Sequence, residues 1–145
     1  MTWFYQDNAV TTVPEDVVGF VYLITNMSSG RMYIGKKLFH FSKTTYKTVK
    51  LKNGTKKRKK IRGKVESDWQ DYYGSSDALL KDIELIGKDK FKREILYFCK
   101  SKAECSYVEM REQVMRKVLE SDEYYNGIIQ VKIHKNHIIN GKTKI

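Results

Sequence analysis

GFVYLITNMSSGRMYIGKK, residues 19–37, holds two short apolar runs, FVYLIT and RMYIGKK, on either side of the turn-rich NMSSG. Runs of this length, rich in β-branched and aromatic residues and bounded by Asn, Ser and Gly, read as a β-hairpin. Both faces of the two strands are apolar, as expected of a sheet covered on each side by other elements. Tyr22 and Tyr33 then stand on neighbouring strands, and Lys36 and Lys37 follow the second tyrosine directly.

Outward from the hairpin, residues 1–16 read as an irregular arm ending near Pro14, the only proline, with Trp3, Phe4 and Tyr5 marking it for packing. On the other side, TYKTVKLKNGTKKRKKI places Asn53-Gly54 between alternating residues, the signature of a type I′ hairpin turn, and predicts an inserted basic ribbon over about 38–65. SSDALLKDIELIG predicts a helix capped by Ser or Asp, with Leu79, Leu80, Ile83 and Ile86 at helical spacing and Gly87 as its stop. FKREILYFC has the length and composition of a third strand. In SKAECSYVEMREQVMRKVLES, Ser101 caps and Glu104 stands three residues on, predicting the longest helix, with Val108, Val114, Met115, Val118 and Leu119 on one face. GIIQVKI, from Gly127, reads as a last strand.

The 145 residues fit one domain with a core of its own. No apolar run approaches the roughly 18 residues of a membrane span, and the first residues carry acids where a signal peptide carries a basic region. A cytoplasmic location is the expectation. Cys99 and Cys105 are too few for a disulfide framework. The net charge of +11 is the informative quantity, because thirteen of the 28 Lys and Arg lie between Lys36 and Lys64 with no Asp or Glu among them. An excess confined to one segment selects a polyanion as partner, since each neutralised phosphate releases condensed counterions. Lys43, Lys56, Lys57, Arg58, Lys59, Lys60 and Arg62 are the expected DNA contacts.

A site acting on a phosphodiester needs a base or oriented nucleophile, a divalent ion on a carboxylate, and cations for the developing charge. The two tyrosines and two lysines supply the first and last. Glu109 and Glu112, one turn apart in the predicted long helix, are the candidate carboxylates.

At this point the chain resembles the GIY-YIG nucleases. The first motif is FVY, Phe20 to Tyr22, and the second YIG, Tyr33 to Gly35, with Asn26 between them. SKAECSYVE resembles the family's helix segment and puts its metal-binding carboxylate at Glu109, leaving Glu112 as the alternative. YYN, Tyr124 to Asn126, resembles the late asparagine motif. Four features in order across residues 19–127 carry the resemblance. It implies a small single α/β (α+β) domain over 1–145, with a central three-stranded antiparallel sheet flanked by helices and the basic segment as an insertion. It further implies a metal-dependent DNA endonuclease with one Mg2+ or Mn2+ per site, in-line attack by water, and double-stranded DNA rather than membrane as partner. Tyr22 takes the base-like role and Tyr33 the supporting one, or the reverse, with Gly35 and Asn126 in support.

Two positions depart from the family pattern. Phe20 replaces the first glycine, with Gly19 one residue earlier. The family's helical arginine after the second motif would fall in the basic insertion, where Arg58, Arg62, Lys43 or the paired Lys36 and Lys37 can substitute; the two lysines next to the motif are the expected choice, also expected to ease tyrosine ionisation. His40 and Tyr73 are further candidates. The same residues admit an inactive nucleic-acid-binding module or regulator on this scaffold. One site per chain would cut both strands of a duplex only as a homodimer or in two events, and the small size fits a phage or mobile-element enzyme by analogy.

Overall fold

The computed structural model describes residues 2–139, Ile139 by its backbone alone. Its strands are β1 (Trp3–Tyr5), β2 (Asn8–Val10), β3 (Gly19–Asn26), β4 (Met32–Leu38), β5 (His40–Lys50), β6 (Lys56–Glu66) and β7 (Phe91–Cys99). The helices are α1 (Asp77–Ile86), α2 (Lys102–Met115) and the short α3 (Lys135–Ile139). The predicted hairpin is β3–β4, antiparallel, with Tyr22 opposite Gly35 and Ile24 opposite Tyr33. Asn26 closes its turn by accepting from the backbone N–H of Ser28 at 2.9 Å and of Ser29 at 3.3 Å.

The sheet corrects the expected three antiparallel strands. It has five, in the order β2-β1-β7-β3-β4, and β1 runs parallel to β7. The irregular arm is therefore a hairpin. Gln6 and Asp7 both take positive φ, 48° and 66°, and reverse the chain so that Trp3 faces Val10. Trp3, fully buried, donates its indole N–H to the Trp69 carbonyl at 2.6 Å and draws the arm onto the sheet.

Two cores divide along the sheet's faces, as the all-round apolar strands required. Phe20, Tyr22, Ile24 and Ile95 pack with Trp3, Phe39, Trp69, Tyr73 and, from α1, Leu79 and Ile83. On the opposite face Val21, Ile34 and Cys99 meet Cys105 and Val108 of α2. Ser76 caps α1 by accepting from the Leu79 N–H and Ser101 caps α2 by accepting from the Glu104 N–H, both as the sequence predicts. The predicted apolar face of α2 is corrected at its end. The helix stops at Met115, Lys117 turns left-handed, and Val114, Met115 and Leu119 are exposed while Val118 is buried beyond the turn.

Arg93 on β7 is a core residue that no sequence pattern singles out. Its guanidinium lies between Trp3 and Tyr73 and donates to the carbonyls of Gln70 and Tyr72, each at 2.9 Å. It thereby fixes the segment that leads into α1. Arg93→Met would leave both carbonyls without this charged donor, and is expected to cost about 2–3 kcal/mol in denaturant unfolding.

Two further expectations change. The β5–β6 turn is not type I′. Gly54 N–H donates to Leu51 O at 3.0 Å and Leu51 N–H to Thr55 O at 2.7 Å, with Gly54 at φ +84° and Asn53 outside the positive-φ region. This is a type I turn closed by a left-handed glycine, the three-residue solution to the same strand twist. Nor does GIIQVKI form a strand: after a single bridge between Met32 and Tyr124, residues 127–134 run irregularly. The free edge of β4, where that strand would pair, is occupied by side chains. Among the described residues no helix is long and apolar enough to cross a membrane.

Candidate active site

Tyr22 sits where β3 meets a β-bulge. Val21 pairs with Tyr97 but Tyr22 pairs with Ile95, so Leu96 is the extra residue on β7. A bulge bends its strand and re-aims neighbouring side chains. The ring is packed edge-on by Trp3 and Tyr72, at centroid distances of 5.2 and 6.0 Å, and lies 6.1 Å from the Tyr33 ring. Two glycines flank its hydroxyl. A Cβ at Gly35 would overlap the hydroxyl and its ring carbon, and one at Gly74 would come within 3.4 Å of the same oxygen. Gly74 also has φ +90°, a conformation costly for other residues.

The Tyr33 hydroxyl reaches the open side and shares a hydrogen bond with Ser75 Oγ at 3.3 Å. It lines a cleft of about 380 Å³ together with Ser75, Glu109, Gln113, Tyr125 and Asn126. Burial pushes both tyrosines above the usual range, Tyr22 strongly, and Glu109 adds to each. The direction is opposite to the easing expected from Lys36 and Lys37.

Edge strand β4 organises the cleft. Asn126 pairs with Ile34 as a strand would, accepting from its N–H at 3.0 Å and donating to its carbonyl at 2.8 Å. Gln113 of α2 donates to the same carbonyl at 3.2 Å. One step along, the Lys36 backbone N–H faces the Glu109 carboxylate. Three side chains thus replace the missing strand, and Glu109 is held at the cleft by the strand that carries Tyr33. Burial raises the Glu109 pKa, with the Lys36 charge and N–H opposing.

The two lysines part company. Successive strand residues point to opposite faces. Lys36 turns toward α2, where its ammonium donates to Ser106 Oγ at 2.6 Å beside Glu109. Lys37 lies on the tyrosine face, over Tyr72 at 4.0 Å and Phe41 at 4.9 Å, in an ion pair with Asp68 at 2.7 Å. Glu112 points elsewhere and pairs with Arg116 at 3.1 Å. Tyr73 is core beneath Arg93, and His40 stands at the root of the ribbon. His134, just before α3, and His137, within it, are both exposed. Lys43 and the six other expected DNA contacts all lie on the exposed β5–β6 ribbon.

Sequence reasoning missed Gln113, Ser75 and Gly74. Gln113 stands one turn beyond Glu109 on the same helix, and that four-residue spacing was the signal available. Gly74 carried a signal in YYGSS, where a glycine follows two aromatics just before a helix cap.

Among the described residues no three His, Cys, Asp or Glu side chains gather as a ligand cluster. Glu109 is the carboxylate that lines the cleft. One carboxylate beside amide groups suits a hard ion that keeps its waters and takes phosphate oxygens, as Mg2+ does, better than an ion needing three or four protein ligands.

A family model described as "Putative endonuclease segE, GIY-YIG domain" matches residues 3–129. No curated protein and no solved structure matches the chain.

Proposed function

Since the chain belongs to the GIY-YIG endonuclease family, whose domain spans most of its length, we propose that it is a metal-dependent endonuclease hydrolysing phosphodiester bonds of duplex DNA. The observation that carries this reading is the convergence of Tyr33, Glu109 and Asn126 on one cleft along the free edge of β4, with the buried Tyr22 behind it. Glu109 would hold one Mg2+ or Mn2+, which supplies Lewis-acid polarisation of the phosphate and a more acidic bound water. Tyr33, open to the cleft, orients the attacking water and takes a hydrogen bond from it. Tyr22, enclosed and hard to ionise, keeps the Tyr33 ring in place, the second of the two assignments that the sequence left open. Asn126 and Gln113 hold β4 in register with α2. The cation nearest the carboxylate is Lys36, which releases Ser106 to meet the developing negative charge. Lys37 fixes Tyr72 against Tyr22.

Supercoiled plasmid should be nicked by the purified chain with Mg2+ or Mn2+ and left intact with EDTA; no cutting with either ion would remove the enzyme reading. Lys36→Ala should lower the cleavage rate by about 10²–10³-fold, the range for loss of one transition-state donor. Lys37→Ala should act mainly on stability. Equal rate losses for the two would overturn this division.

A second reading is a binding module that has lost cleavage. It is favoured by the cleft lining, which among the described residues includes no Lys or Arg. It predicts salt-sensitive DNA binding with no metal effect and no response to Glu109→Ala.

A further inference from the structure

The β5–β6 ribbon has two chemically different faces. Its register pairs even with even and odd with odd positions, Tyr46 with Lys60 and Lys47 with Lys59. The even face carries Lys50, Lys56, Arg58, Lys60, Arg62 and Lys64, and its other central positions are Ser42, Thr44, Tyr46 and Thr48. Both arginines of the ribbon are there, and Arg58 stacks on Tyr46 at 4.2 Å. The odd face has Lys43, Lys47, Lys57 and Lys59 interrupted by Phe41, Val49, Ile61 and Val65. All hydrogen-bonding side chains except Thr45 and those four lysines therefore lie on one side.

The even face is also unsatisfied. Each face sets one lysine pair directly opposite, Lys50 with Lys56 on the even face and Lys47 with Lys59 on the odd face, a destabilising pairing of like charges, and the even face adds Lys60, Lys64 and both arginines beside its pair. No ion pair among the described residues involves a ribbon cation. The row from Lys56 to Lys64 places a cation about every 6.6 Å and extends about 26 Å at the usual strand rise. Duplex DNA carries about one charge per 1.7 Å of helix axis, so a cation row of this length faces a much denser array of phosphates. A two-stranded ribbon enters a major groove about 12 Å wide, whereas the minor groove is only about 6 Å wide.

We propose that the even face of the ribbon seats in the major groove of duplex DNA beside the cleavage site, and that the odd face points away from the duplex. Lys56, Lys60 and Lys64 grip phosphates. Arg58 and Arg62, with Thr44 and Thr48 directly across from them, address base edges. The ribbon springs from the end of β4, so that the strand bearing Tyr33 sets its distance from the cut. Ser67 holds this root, donating from N–H to Phe39 O at 2.7 Å and from Oγ to Leu38 O at 2.6 Å.

This inference rests on the nuclease reading for its substrate, and its test separates the two. Binding of the whole chain to duplex DNA is measured without metal across a salt series. Lys56→Gln/Lys60→Gln/Lys64→Gln, the phosphate-gripping lysines of the even face, is compared with the charge-matched Lys47→Gln/Lys57→Gln/Lys59→Gln. The even-face triple should lower the slope of log affinity on log salt by about 2.7 and weaken binding about 10²-fold at 0.15 M salt. The odd-face triple should lower the slope by less than about 1, one phosphate's share. Bulky substituents on pyrimidine C5, which fill the major groove, should weaken wild-type binding about tenfold or more, the value of one base contact. Equal losses for the two triples, or indifference to the substituents, overturn the proposal and leave the nuclease reading standing. Failure of the wild type to bind any duplex overturns both.

Discussion

Glu109→Gln should abolish plasmid cleavage, by about 10³-fold or more, while duplex binding measured without metal stays within about twofold. The size follows from the loss of the carboxylate proposed to hold the metal, since the amide that replaces it binds a hard cation poorly. The same change should not harm the fold. Burial raises the Glu109 pKa, so the native state holds its proton more tightly than the unfolded chain does. Between the unfolded and folded values the native state binds more protons, and stability falls as pH rises. Native Glu109 is therefore a cost at neutral pH and none below the ordinary carboxylate range. The glutamine variant should match wild type in Tm at about pH 3.5, below the usual glutamate value, and equal or exceed it at pH 7. A catalytic group held at the expense of stability is common. A variant that cuts normally would dismiss Glu109, and one that is clearly less stable at pH 7 would give it a structural role instead.

The activity should show the same group. Cleavage requires the ionised carboxylate, so the acid limb of the rate profile should lie above the ordinary glutamate range, and added metal should move it to lower pH by competing with the proton. An acid limb insensitive to metal concentration would point to a different group.

How much of this could be read from the chain depends on how local each signal is. The β3–β4 hairpin, the Ser76 and Ser101 caps and the strand at 91–99 follow from short patterns, and they stand where expected. The order of Tyr22, Tyr33, Glu109 and Asn126 was also legible, and three of the four line one cleft. The arm's pairing was not. Trp3 finds Arg93 across ninety residues, and nothing in Gln6-Asp7 advertises a turn with two positive φ angles. The closing strand failed for a related reason. GIIQVKI alternates like a strand, but Asn126, Gln113 and Glu109 already occupy the β4 edge through side chains, a substitution that no local pattern encodes. That Lys36 and Lys37 turn to opposite faces was legible, because strand alternation sends adjacent residues to opposite sides.

Gly35→Ala should be the most damaging substitution outside the cleft lining, because the glycine of the second motif is a steric requirement of the tyrosine in the first. The new methyl group would occupy the space of the Tyr22 hydroxyl, and Trp3, Tyr72 and Gly74 leave that ring nowhere to move. Overpacking of this kind costs about 1–3 kcal/mol, and more where the neighbours are rigid; about 3 kcal/mol is expected here. Cleavage should fall at least about 10²-fold even where the variant is fully folded, since a shift near 1 Å is enough for such a loss. A double-mutant cycle separates the effects. On a Tyr22→Ala background the added methyl meets no ring, so Gly35→Ala should cost less than about 1 kcal/mol, a coupling of about 2 kcal/mol between contacting residues. Activity should not return, because the support of Tyr33 is gone. Additive stability losses would mean that Gly35 serves the strand rather than the tyrosine, and a double variant that cuts as well as wild type would remove Tyr22 from the site.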